Sequence, residues 1–182
     1  SAQLIVHPDP NVRQLTAQSL VSQASTQAVT LLGPRLDDVN PDLRLFVRNN
    51  LIQLSKRSDL TQSVLEQAVG MLSGDRWRGL EQAAIVLGRL DHESVSKRLL
   101  QLMRFNRHEV RVAAVAALRW LEMPEHLPTI LERAEEMTNA WKAQRRDLLE
   151  QHDQELAQLN QIFGVMNYKQ AEKLMERFIP KH

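Results

Sequence analysis

Apolar and polar residues recur with a helical period along most of the chain, most plainly in Asn106–Leu121, NRHEVRVAAVAALRWL. After a polar turn, Val110, Ala113, Ala114, Ala117, Leu118 and Leu121 fall at the spacing of one buried helix face. Three earlier stretches repeat the phrase: His7–Leu20, Asn40–Leu51 and Gly74–Ile85. Arg13, Arg44, Arg78 and Arg111 then stand in register, separated by 31, 34 and 33 residues. One place before each lies an apolar residue (Val12, Leu43, Trp77, Val110), and seven places after lies another (Leu20, Leu51, Ile85, Leu118). The third copy also admits a two-residue shift that matches Leu87 instead, and the pattern leaves both registers open.

Between these helices lie second amphipathic segments, Thr26–Leu36, Leu60–Leu72, Ser94–Met103 and Leu127–Met137, joined by turn formers such as Asp37–Asp42, Ser73–Asp75 and Phe105–His108. Two helices in every 31–34 residues mark an α-solenoid, because one hairpin cannot bury its apolar face without a stacked neighbour. The expected fold is all-α, a right-handed α-α superhelix of about five hairpins forming one domain over residues 1–182.

The Asp-Pro-rich turn, the Val-Arg pair and the Ala-rich, Leu-ending helix resemble HEAT-like repeats, especially the short variety of bilin-lyase proteins. The resemblance covers residues 7 to about 137. It implies stacked hairpins whose second helices line a concave face. Such repeats occur in scaffolds, chaperones, lyases and a class of DNA glycosylases, so the resemblance carries no catalytic residue with it.

The last third departs from the repeat. From Thr129 to Phe163 there is no Gly or Pro, and Thr138–Asp147 is polar apart from Ala140, Trp141 and Ala143. A single helix through 128–162 would be long for a globular domain, so the reading favours a break near Thr138–Asn139. A final helix, Asn167–Ile179, has the alternation of a polar-faced cap. No such cap precedes His7, so further repeats upstream, or self-association through the first hairpin with Leu15 and Leu20, are the expectations there.

Composition narrows the chemistry. A formal net charge of +1 argues against a dedicated duplex-DNA binder, which needs many phosphate contacts. The absence of Cys removes thiol nucleophiles and thiolate metal sites, and leaves the compartment open, with cytoplasmic residence of a soluble chain the simpler expectation. The longest uncharged apolar run, Val112–Leu118, is too short to span a bilayer. The six histidines form no HExxH or HxxxH set, and there is no GxSxG or phosphate loop. No catalytic residue, metal or cofactor is therefore assigned.

The repeated Arg13, Arg44, Arg78 and Arg111 read as structural, each bonding turn carbonyls or a neighbouring turn's acid such as Asp42, Asp75 or Glu109. A ligand rarely needs the same contact in every unit. Positions four and eight after each Arg are expected to face a groove: Ala17, Val21, Arg48, Ile52, Gln82, Val86, Val115 and Arg119. That mixed apolar and cationic strip suits a protein or peptide partner. Trp77 reads as core, and Trp141, with few apolar neighbours, as a further partner contact or a plug. The function expected is a non-catalytic protein-interaction or scaffolding module. A nucleic-acid-binding or nucleic-acid-processing repeat protein is the alternative, and a bilin-lyase-like chaperone a third.

Overall fold

The computed structural model describes the backbone of residues 2–163 and the side chains of residues 2–150. Among them are eight α-helices and no strand. They alternate as first and second helices of hairpins: α1 (Pro10–Gln23) with α2 (Thr26–Leu32), α3 (Pro41–Leu54) with α4 (Ser58–Leu72), α5 (Trp77–Arg89) with α6 (Ser96–Leu102), and α7 (His108–Leu121) with α8 (Leu127–Phe163). Of the expected fifth hairpin, the part up to Phe163 is the continuation of α8, and the cap Asn167–Ile179 lies outside the described residues.

Local chemistry starts the early helices. Pro10 and Pro41 open α1 and α3 where no backbone donor is needed. Asp9 and Asn40 cap the two helices by accepting from Asn11 N–H at 2.8 Å and Asp42 N–H at 2.8 Å. Ser25 does the same for α2 through Ala28 N–H at 3.2 Å. The apolar stripes then meet in one continuous core that runs from Ile5 through Leu20, Leu51, Leu72 and Leu99 to Leu121.

Helix starts settle the register of the third copy. α1, α3 and α7 begin three residues before Arg13, Arg44 and Arg111, and α5 begins three residues before Leu80. Leu80 and Leu87 are fully buried, whereas Ile85 is half-buried. The shifted alignment is therefore the one the fold uses, and Arg78 lies outside the repeated position. α5 is the central helix, packed against α3, α4 and α7, with α7 its closest neighbour. Gly88 permits that approach: a Cβ there would meet the Cα of Ala117 at 2.7 Å.

The expected break near Thr138–Asn139 is absent, and α8 runs unbroken over 37 residues. Its polarity does not stop it. Gln, Glu, Lys, Arg, Ala and Leu are all good helix formers, and no Gly or Pro interrupts them. Arg133 pairs with Glu136 one turn on at 2.8 Å, and the Thr138 hydroxyl donates to the Ala134 carbonyl at 2.8 Å, so the segment holds itself locally.

The chain divides into two compact units, Ser1–Ile130 and Leu131–His182. No helix among the described residues is long and apolar enough to cross a membrane.

Candidate functional site

The arginines that follow each helix start do one repeated task. Nη1 of Arg13 donates to the carbonyls of His7 and Pro8 at 2.8 and 2.9 Å. Nη1 of Arg44 donates to Asp38 and Val39 carbonyls at 2.7 and 3.2 Å. Nη1 of Arg111 donates to Phe105 and Asn106 carbonyls at 2.9 and 3.0 Å. Each guanidinium thus ties the preceding turn to its own helix, satisfying carbonyls that the turn leaves without partners. At Leu80 no such donor exists. Arg98, reaching from α6, takes over by donating to the carbonyls of Leu72 and Gly74 at 3.2 and 3.0 Å. Periodicity could not name Arg98, because it belongs to a second helix. The clue available was that the shifted register leaves the third turn without its arginine.

The acid of the neighbouring turn is Asp38, rather than Asp42, Asp75 or Glu109. Its carboxylate, 3% exposed, accepts from Arg13 Nε and Nη2 at 2.9 and 2.8 Å and from Asn40 N–H at 2.9 Å. Burial pushes the Asp38 carboxyl up, but the hydrogen bonds from Arg13 and Asn40 N–H, with the charges of Arg13 and Arg35, outweigh it and hold the group below the usual carboxylate range. Asp37 faces the other way, accepting from Gly79 N–H at 3.1 Å and pairing with Arg76 at 2.9 Å. Two consecutive acids therefore link the turn before α3 to α1 on one side and to α5 on the other.

The groove candidates separate. Ala17, Gln82 and Val86 are buried, Gln82 and Val86 because the shifted register sets them at the places of Ala113 and Ala117 on the core-facing stripe. Val21 and Ile52 are half-buried. Half-buried Arg48 donates to the Gln82 amide oxygen at 3.3 Å, so these two are brought together. Burial holds the Arg48 guanidinium below its usual pKa, opposed by Glu81 and reinforced by Arg89. Val115 and Arg119 are exposed on the outer part of α7. Trp141 belongs to the second unit, where it is 58% exposed with Arg145 over its ring at 5.5 Å. Leu15 is exposed and Leu20 buried in the first hairpin.

Val115 and Arg119 border a cavity of about 420 Å³ at the corner where α7 turns into α8. Met103, Leu118, Met123, Leu127 and Ile130 supply most of its wall, and Arg119 and Glu122 are the charged groups on it. The corner is made by Glu122, which ends α7 in the left-handed region at φ 48°, and by Pro124. Beside it Trp120 carries two guanidinium groups, Arg89 at 4.0 Å and Arg119 at 5.9 Å from the ring centroid. Trp77 is likewise flanked by Arg44, Arg78 and Arg107, at 5.9, 4.9 and 5.2 Å, so this half-buried ring is part of an arginine-lined patch as well as the core. Among the described residues no group of three or more His, Asp or Glu could hold a metal ion.

Residues 65–149 match the family model for HEAT repeats. No curated protein matches the chain. A crystal structure of an engineered protein superposes with a TM-score of 0.43 at 18% identity, over 73% of this chain and 67% of that one, a likeness too slight to extend the reading. The repeat match, with the stacked hairpins and their shared turn arginines, supports a HEAT-like repeat family, and the fold is an all-α solenoid.

Proposed function

We propose that the chain is a non-catalytic protein-interaction module whose binding surface is the outer face of α7 and the corner it makes with α8. One observation carries the reading: the cavity walled by Met103, Leu118 and Met123 is bordered by Val115 and Leu127, which are 46% and 53% exposed, and Val112, three residues before Val115 on α7, is 53% exposed. Apolar surface held open by a rigid repeat is costly to leave in water and is a usual mark of a protein contact. The turn arginines are scaffold in this reading, and Arg48, Ile52, Val115 and Arg119 are the partner-facing candidates of the first unit. Trp141 is a separate candidate on the second.

A photo-crosslinking residue at position 115 tests this in native extract. Discrete adducts are expected there and not from the same residue at position 62, an exposed site on α4. Introducing Leu127→Asp should remove them. Equal labelling at both positions would refute the assignment.

A further inference from the structure

The corner has a chemical preference as well as an apolar floor, and the preference comes from Trp120. Arg89 and Arg119 lie over the indole, and neither is in an ion pair among the described residues. A guanidinium laid on an aromatic ring has already lost much of its rotamer freedom, so an incoming carboxylate gains the contact at reduced entropic cost. Arg119 also borders the cavity, so the cationic and apolar features are continuous. Arg48 extends the same field, since Arg89 acts on its titration. Glu122 on the cavity wall and Glu81 near Arg48 are acids of the same surface.

We infer that this corner docks an amphipathic protein segment whose apolar side chains enter the cavity while its Asp or Glu side chains meet Arg89 and Arg119. The inference rests on the protein-binding reading and narrows it to one class of partner. Nucleic acid fits less well. A phosphate backbone has no use for a cavity walled by Met, Leu, Val and Ile, and a chain of net charge +1 releases few counterions.

The test is a peptide-display selection on the full chain, with the Val115→Asp variant as counter-target. Enriched sequences should carry a large apolar residue with Asp or Glu within one helical turn of it. Synthesised winners should bind the wild type and lose about tenfold or more in affinity against Arg89→Gln/Arg119→Gln. They should change by less than about twofold against Lys56→Gln, an exposed control on the first unit. If the double variant melts early, Arg119→Gln alone supplies the reading. Winners that are basic or uncharged, and bind the double variant equally, overturn the acidic preference while the protein-binding reading survives. A labelled single-stranded oligonucleotide that binds as tightly as the winners and is lost in the double variant would transfer the site to nucleic acid. No enrichment over Val115→Asp would sink both readings together.

Discussion

The turn before α3 and the corner after α7 are both bends between packed helices, yet they handle their polar and apolar atoms in opposite ways. At Gly33–Asn40 the two acids are consumed internally: Asp38 by Arg13, Arg35 and Asn40 N–H, and Asp37 by Gly79 N–H and Arg76. Both carboxylates have guanidinium partners, and although a cavity opens beside Gly33 and Pro34, neither acid is left over. At Leu121–Ile130 the reverse holds. Arg119 bonds no carboxylate in the described residues, Leu127 is exposed, and a cavity stands open. One bend is cross-link and the other is surface. The difference teaches that in a repeat the same local motif can be saturated or left available, and that its neighbours in space decide which.

The sharpest way to break the comparison is at Asp38. Asp38→Asn removes the charge that faces the buried Arg13 while keeping the shape, and should cost about 3–5 kcal/mol, since an uncompensated buried guanidinium is left behind. Thermal or urea melts check this. The carboxyl is held below its unfolded value, so its contribution is present above the unfolded pKa and is lost as pH falls through the folded one. The wild-type excess over Asp38→Asn should therefore shrink in acid; a constant gap down the acid range would dismiss the ion pair as a stabilising element.

Leu118→Ala tests the other bend's floor. Leu118 is 4% exposed yet borders the open cavity, so a loss of about 2–5 kcal/mol is expected, toward the lower end because the void already exists. No loss of stability would mean that the closing apolar position of α7 is misassigned.

Arg98→Ala and Arg111→Ala should resemble one another, each costing about 1–3 kcal/mol, because each strips donors from turn carbonyls. Arg78→Ala should cost under about 1 kcal/mol, the loss of a partly exposed contact with Trp77. An Arg78 effect as large as that of Arg111 would restore the unshifted register.

The smallest expected stability effect is at Val115. Val115→Asp exposes nothing new and should move the melting free energy by less than about 0.5 kcal/mol, while abolishing binding of the selected peptides at the corner. Loss of folding instead would show that the exposed face of α7 is covered within the first unit.

Much of this molecule is written in the order of its residues. The repeat, the first and second helices and the burial of Leu20, Leu51 and Leu118 follow from apolar spacing, because a helix face is a local property of the chain. The capping of the early helix starts by Asp9, Asn40 and Ser25 is local for the same reason. Even the length of α8 was present in its lack of breakers, although a judgement from typical helix lengths pointed the other way.

Tertiary structure decided the rest. Whether Arg78 or Leu80 held the repeated position depended on which residues α3 and α7 would cover, and the one-dimensional pattern fitted both. Arg98 could stand in for a missing arginine only because folding brings α6 beside the turn at Leu72–Gly74. Asp37 and Asp38 looked like ordinary turn formers until three helices met around them. In the register the fold uses, Gln82 and Val86 share the places of the buried Ala113 and Ala117, and Ala84 and Gly88 those of Val115 and Arg119; α5 has neighbours on several sides, whereas the outer face of α7 stays open. Spacing along a helix determines which side chains point the same way; what stands opposite them is a property of the packed chain.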